Sequence, residues 1–392
     1  MVKLAQRMSQ LAESATLAVA AKAARMKAEG VDVVDFGVGE PDFPTPPHVA
    51  RAGISAIEAG QTRYCKPTSG TAAAKQAVCA KLARENELSY SPEQVIITEG
   101  GKMGVYLAMQ AVLSPGDEVV IPAPYWVSYP EIAKLAGGNP VFVRGSETND
   151  YKLTPDELRR ALTPRTRMVV LNSPCNPSGV TYHPNETRAL ADVLQDRDLL
   201  VLSDEIYDRL VFDGQKALSY AASSPAAHAQ TLTLNAGSKT YSMTGWRVGY
   251  VAGPREVIKA MAAIQTQSTS GAATFTQAAL ATALTAEQSA VEAMRVEFER
   301  RARHMWQQLT AMPGVRCPRP TGAFYCFPNV SACTNRMGLR GSVEFADRLL
   351  GEAHVATVPG AGFGLEGHVR LSFATGMSMI DEGLARMAKF IR

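Results

Sequence analysis

From about residue 95 onward, short apolar runs alternate with helical patterns. This is the signature of a mainly parallel sheet whose strands are joined by covering helices. Val95 to Thr98 predicts a strand, and Gly100-Gly101 leads into a helix that ends near Pro115-Gly116. Further predicted strands are Glu118 to Ile121, Met168 to Leu171, Leu199 to Ser203, Leu232 to Asn235 and Arg247 to Val251. Among the intervening helices, Thr154 to Leu162 carries its own start signal: Thr154 as N-cap, Pro155 at the first helical position and Glu157 completing a capping box. After about residue 254 the pattern turns helical in long Ala-rich segments to about Leu309. Past a break at Pro313-Gly314, Gly322 to Pro328, Val355 to Val358 and Val369 to Phe373 predict strands of a smaller unit, closed by a helix from Ser378. A helix and a strand (Val31 to Phe36) in the first 45 residues do not fit the central alternation and are assigned to that C-terminal unit. The expected architecture is α/β, with a large domain at 46–300 and a smaller, discontinuous α/β domain made of 1–45 and 301–392.

A chain of 392 residues exceeds the size at which one hydrophobic core stops growing, which supports two domains. With 46% hydrophobic and 20% charged residues, 31 Gly and 23 Pro, the composition is that of an ordinary globular protein rather than a collagen, a coiled coil or a disordered tail. A formal charge of +3 with no tight Lys/Arg run is no nucleic-acid footprint. No segment reaches the roughly 18 apolar residues of a membrane span. Lys3 and Arg7 precede the small-residue stretch Ala15 to Ala24, but Glu13, Ser14 and Thr16 interrupt it and Lys22 closes it, so it is not read as a secretory signal. Six irregularly spaced cysteines without a CxxC pair suggest reduced thiols and a cytoplasmic location. The six histidines show no metal spacing, and Gly360-Ala361-Gly362-Phe363-Gly364 reads as a turn rather than a dinucleotide fingerprint.

Open parallel sheets bind ligands beyond the carboxyl ends of their strands. Three predicted strands run into polar segments there: Asn172-Ser173-Pro174-Cys175-Asn176-Pro177, Asp204-Glu205-Ile206-Tyr207, and Ala236-Gly237-Ser238-Lys239-Thr240 with Trp246-Arg247 after it. Singly, each has a plain structural reading: a helix cap, a turn, a solvated lysine. Together they describe a site for an aldehyde on a pyridinium ring. A lysine of lowered pKa can hold the aldehyde as a Schiff base, and an acid such as Asp204 can partner the ring nitrogen. Tyr207 and Asn176 can bond a ring oxygen. Gly100-Gly101-Lys102 at a helix start, with Arg247 and Ser238, can hold a phosphate.

These segments resemble the pyridoxal-phosphate-dependent class I aminotransferases of fold type I, most closely the bacterial aspartate/prephenate group. The resemblance runs in order through Ser14 to Val19 (SATLAV), Gly39 to Phe43 (GEPDF), Thr62 to Tyr64 (TRY), GGK, PYWVSYP, NSPCNPSG, SDEIY, SKTYSMTGWRVGY, PGAGFG and HVRLSFA. It implies a seven-stranded-type sheet in the large domain, pyridoxal 5'-phosphate as cofactor, and a homodimer with shared active sites and neither nucleic-acid nor membrane partners. It implies exchange of an amino group between aspartate or glutamate and a 2-oxo acid by a ping-pong cycle. On the matching positions, Lys239 would be the Schiff-base lysine and proton shuttle, and Asp204 would hold the ring nitrogen protonated. Tyr207 and Asn176 would bond the ring oxygen, and Trp126 would stack on the ring. Arg247, Ser238, Gly101 and the neighbouring subunit's copy of Tyr64 would hold the phosphate. Arg370 would clamp the substrate α-carboxylate, with Gly39 contacting it through the backbone.

In the same group the lysine of GGK, here Lys102, reaches the distal carboxylate of dicarboxylic substrates, and Ser14 and Thr16 match residues that close over it. A lysine in the first turn of a helix opposes the helix dipole, which suggests an anion beside it. For Ser14 and Thr16, plain N-capping accounts for the residues equally well. Cys175 and Thr68-Ser69-Gly70 depart from the family pattern, which more often has Asn or Ala-like residues at the first and more Pro, Ala and Gly at the second. The fold also hosts lyases and synthases, and a non-catalytic cofactor-binding protein would keep the same pocket.

Overall fold

The computed structural model describes residues 2–11 and 15–392. Its centre is a seven-stranded sheet with the spatial order Val95–Thr98, Gly249–Ala252, Thr231–Ala236, Leu200–Asp204, Thr166–Asn172, Glu118–Ala123, Asn139–Arg144. Gly249–Ala252 runs antiparallel to both its neighbours, and the remaining pairs are parallel. The central strands bury both faces, and their side chains divide with period two. Val119, Ile121, Met168, Val170 and Leu202 join one apolar cluster with the helix Gly101–Val112. Val120, Val169, Leu171 and Val201 join another with the helix Pro184–Leu194. The helix Pro155–Ala161 begins with the predicted capping box: Thr154 Oγ1 accepts from Glu157 N–H at 3.3 Å, and Glu157 Oε2 accepts from Thr154 N–H at 2.8 Å.

The segment after residue 254 forms three helices, Arg255–Ser268, Thr274–Thr285 and Ser289–Thr310. The last lays Phe298, Met305 and Leu309 into a separate core with Phe324, Phe345, Phe373 and Leu384. A three-stranded antiparallel sheet, ordered Val358–Pro359, Val369–Ser372, Tyr325–Cys326, borders that core. Val34–Asp35 pairs in parallel with Val355–Ala356, so an early strand does meet a late one. Several expectations shift: the strand expected at Gly322 to Pro328 is regular only at Tyr325–Cys326, and the one expected at Arg247 to Val251 begins at Gly249. The single strand Val355 to Val358 divides at Thr357, its halves pairing in different sheets. Asn139–Arg144 adds an edge strand absent from the sequence reading. No helix among the described residues is long and apolar enough to cross a membrane.

Candidate active site

The parallel strands deliver their last residues to one end of the sheet. Asn172 and Asp204 are the final residues of neighbouring strands and pair across the ladder. Lys239 follows the end of Thr231–Ala236 in a single helical turn, Gly237–Thr240. Gly101 opens the helix after Val95–Thr98. These ends surround a cavity of about 320 Å³. Of the residues singled out in the sequence, Lys239, Asp204, Tyr207, Asn176, Trp126, Gly101, Lys102, Gly39 and Arg370 all line it.

Asp204 lies at the buried side. Tyr129 Oη donates to its Oδ2 at 2.6 Å and Ile206 N–H to its Oδ1 at 3.2 Å. Burial raises this carboxyl to about 6, while those hydrogen bonds and the Lys239 charge act the other way. Lys239 is largely buried, and its Nζ donates to Gly39 O. Desolvation lowers its ammonium to about 8, Arg370 and Arg247 add to the fall, and Glu40 opposes it. Tyr207 Oη pairs with Tyr325 Oη at 2.9 Å. Burial first, then the Tyr325 hydroxyl, drive its pKa well upward.

Arg370 is 2% exposed and, among the described residues, has no carboxylate within ion-pair reach. Its Nη1 donates to Asn176 Oδ1 at 3.0 Å and its Nη2 to Gly37 O at 2.8 Å, while Nε has no partner. A buried cation left without a counter-charge is costly, and an anion entering the cavity removes that cost. Lys102 stands at another wall, its Nζ 5.2 Å from the centroid of the Trp126 ring. Although the side chain is exposed overall, desolvation at its tip and then the nearby Arg247 hold its pKa below the usual lysine range.

The helix Gly101–Val112 starts at Gly100, which has φ of 83° and makes no side-chain cap, so its first N–H groups are open to an anion. A Cβ at Gly100 would stand 2.8 Å from Arg247 Nη2, so only glycine lets the guanidinium lie against this turn. Arg247 is itself fixed by Thr244 O at 2.7 Å and Glu99 O at 3.3 Å.

Other expected site residues lie elsewhere. Ser238 is buried beside Lys239 without lining the cavity, and Arg247 flanks an adjoining hollow with Lys102. Tyr64 is 82% exposed, in an open groove formed by 62–66 and 269–275, away from its own chain's cavity. Ser14 lies outside the described residues. Thr16 falls in the helix Ala15–Ala28, its side chain also outside what is described. Cys175 lines a small hollow behind Tyr129 and Asn172, and burial pushes its thiol pKa up, the state of an inert packed thiol. Thr68-Ser69-Gly70 is a packing segment: Gln265 Nε2 donates to Thr68 O at 2.7 Å, and Lys75 Nζ to Ser69 Oγ at 2.8 Å. Sequence reasoning did not single out Tyr129, Tyr325 or Asn172. The signal for Tyr129 was present, because it falls one helical turn after Trp126. Among the described residues, no group of His, Cys, Asp and Glu is arranged to hold a metal ion.

A large α/β sheet presenting a largely buried lysine and a buried acid at its strand ends, with a helix start open to an anion, defines a fold type I transferase. A profile of the family "Aminotransferase class I and II" matches residues 31–387, and the chain belongs to that family. It is 46% identical to an aspartate aminotransferase of Geobacillus stearothermophilus, over 100% of this chain and 99% of that protein. It is 42% identical to an aspartate/prephenate aminotransferase of Nitrosomonas europaea over the whole of both. The solved aspartate aminotransferase from Thermus thermophilus with maleate superposes with a TM-score of 0.94 at 42% identity, covering 99% of this chain and 100% of that one. The protein is thus a transaminase, and these relatives lend no support to a lyase, a synthase or a non-catalytic binder.

The family depends on pyridoxal phosphate, and the cavity fits that group: an open helix start and Arg247 for a phosphate, Trp126 for a ring face, Asp204 for a ring nitrogen, and an amine of lowered pKa.

Proposed function

We propose that the chain transfers the amino group of a dicarboxylic amino acid, aspartate or glutamate, to a 2-oxo acid by a ping-pong cycle. The observation that carries this reading is the uncompensated Arg370 guanidinium inside the same cavity as Lys239 and Asp204. Its planar fork suits an α-carboxylate. Lys102 supplies a second cation, and one cation per carboxylate favours a dicarboxylic acid.

Pyridoxal 5'-phosphate, when bound, supplies an aldehyde that condenses with amines and a ring that takes up the electron pair left when a Cα–H bond breaks. Gly101, Ser238 and Arg247, with Tyr64 of a second copy, would hold its phosphate. Trp126 would cover the ring, Asn176 and Tyr207 would bond its oxygen, and Asp204 would face its nitrogen. Arg370 orients the substrate by its carboxylate, with Gly39 contacting it through the backbone. Lys239 Nζ then accepts the α-proton in its neutral form, which its lowered pKa makes accessible near neutral pH. Burial of Asp204 and its bond from Tyr129 keep the carboxylate fixed where a cationic nitrogen gains most from it.

Tyr64 supports a homodimer with shared sites, since an 82% exposed tyrosine outside its own cavity suits a role in a partner's. We also take 46–300 as the large domain and 1–45 with 301–392 as the small one. The pairing of Val34–Asp35 with Val355–Ala356 supports this division.

The test is a panel of amino donors followed by the change in cofactor absorption. Aspartate and glutamate are expected to convert the cofactor to its amine form fastest. In Lys102→Met their kcat/KM should fall by roughly tenfold or more, in keeping with loss of a charged contact, while alanine is little affected. Equal losses for all donors would remove the dicarboxylate reading. A second measurement concerns pH. In protein stripped of cofactor, the rate of covalent capture of added pyridoxal phosphate should rise with pH through a midpoint near 8, following the neutral Lys239 amine. A midpoint above 10 would mean that the lysine is not desolvated as described.

A further inference from the structure

Tyr151 and His368 are buried and hydrogen-bonded to each other outside the cavity, with the main-chain carbonyl of Glu366 beside them, and they have no part in the chemistry above. His368 nevertheless precedes Arg370 by two residues, and its side chain connects to the guanidinium through a continuous set of ring contacts. Beyond its donations to Asn176 Oδ1 and Gly37 O, Arg370 has, among the described residues, neither an ion pair nor a partner at Nε. Its orientation therefore depends on those two bonds together with the rings beside it, Tyr325 at 4.5 Å and Phe363 at 5.1 Å from its Cζ. Phe363 meets Phe327 edge-on at 5.9 Å, and Phe327 stacks on the His368 ring at 5.0 Å and 14°.

That imidazole is fixed at both nitrogens. Glu366 O, 2.9 Å from Nδ1, can only accept, so Nδ1 carries the proton. Nε2 of the neutral ring then accepts from Tyr151 Oη at 2.7 Å. The main chain adds to this: Gly360 N–H donates to His368 O at 2.7 Å, and Tyr125 N–H to Phe363 O at 3.1 Å. The turn Gly360–Phe363 is thereby pressed against the segment that carries Trp126, and a Cβ at Gly364 would stand 2.4 Å from Tyr125 Cε1. Tyr151 is a rigid post. It has φ of 60°, and a Cβ at Gly145 would lie 2.2 Å from its carbonyl oxygen. It follows the edge strand of the seven-stranded sheet, whereas His368 leads into Val369–Ser372 of the three-stranded one.

We propose that Tyr151 and His368 are positioning residues for substrate-carboxylate binding, anchoring through Phe327 and the turn Gly360–Phe363 the seat on which the Arg370 guanidinium rests. The inference deepens the assignment of Arg370 as the α-carboxylate clamp and rests on it. A clamp displaced by even a fraction of an ångström loses its fit to a planar carboxylate, while the chemistry at Lys239, on other elements, proceeds as before.

The test uses the cofactor-loaded enzyme with Tyr151→Phe, which removes one hydroxyl and keeps the ring. KM for the amino acid is expected to rise roughly three- to tenfold, the scale of coupling through packed contacts, with kcat within twofold. The slow half-reaction with a primary amine that lacks an α-carboxylate is expected to be unchanged. In an Arg370→Met background the same substitution should have no further effect on KM. His368→Phe, which keeps the stack on Phe327 and loses both hydrogen bonds, should act in the same direction and serves if Tyr151→Phe folds poorly. An unchanged KM in both variants, or equal losses for the amine and the amino acid, would overturn the proposal. The two readings fail separately: if Arg370→Met itself spares amino acid binding, the clamp assignment is wrong. If Arg370→Met is severe and both cluster variants are silent, only the positioning role is wrong.

Discussion

Lys239→Ala is expected to abolish turnover, lowering kcat by about 10,000-fold, the upper end of what a positioned general base contributes. The cofactor's lysine-bound absorption band should disappear with it. Borohydride reduction and peptide mapping supply the direct check: wild-type protein should carry the label on Lys239, and the variant on no residue. The size of the effect follows from the surroundings. Among the described residues only Lys239 places a largely buried amine against Gly39 O in the cavity that also holds Asp204 and Arg370. A variant that still transaminates within about a hundredfold of wild type, the lower end for general base catalysis, would contradict the assignment. A stability measurement carries a second signature. The folded pKa of about 8 lies below the ordinary 10.5, so between those values the unfolded chain holds a proton that the folded chain lacks. Lys239 therefore contributes stability that increases as pH rises from about 8 toward 10.5, and its burial cost is fully felt below 8. Cofactor-free wild type should gain in Tm relative to Lys239→Ala across that interval.

The central sheet was legible because its strands are apolar runs whose ends carry unlike chemistry. Val95–Thr98 has the bounds its sequence predicts, and Thr166–Asn172 and Leu200–Asp204 differ only at their ends. Asn139–Arg144 was not legible: at the sheet edge it is half-exposed, it contains Pro140, and its apolar run is only the three residues Val141-Phe142-Val143. Thr357 hides a break for a different reason, since both halves of Val355 to Val358 are fully apolar and only their pairing partners differ. The site divides in the same way. Arg370 entered only through resemblance, whereas Lys239, Asp204 and Asn176 stand out because they lie in polar segments directly after apolar strand runs. Tyr129 and Tyr325 do not, because an aromatic residue in a buried helix or strand looks like core until its hydroxyl is seen to reach Asp204 or Tyr207. Tyr64 entered only through resemblance, since nothing in one chain's spacing tells whether a residue serves another subunit.

Arg370→Met is expected to separate binding from folding. Truncating one partner of a buried charge pair costs about 2–5 kcal/mol, which corresponds to a loss of roughly 30- to 4,000-fold in kcat/KM for amino acid substrates. Tm of the substrate-free protein should not fall. The guanidinium is 2% exposed and, among the described residues, answered by no carboxylate, so a methionine of similar length relieves the desolvation of a lone cation, several kcal/mol by the general scale. Against that stand the two lost donations, to Asn176 Oδ1 and Gly37 O. Each acceptor left bare in a dry interior costs about 1–3 kcal/mol, but Asn176 faces a cavity that water can enter. The balance favours unchanged or higher stability together with severe loss of function, the pairing that marks a residue kept for its ligand rather than for the fold. Steady-state kinetics on aspartate and glutamate beside a thermal melt decide it. A loss in kcat/KM below threefold counts against the clamp, and a collapse in Tm would mean that Arg370 is a structural residue whose buried charge is answered by the protein itself.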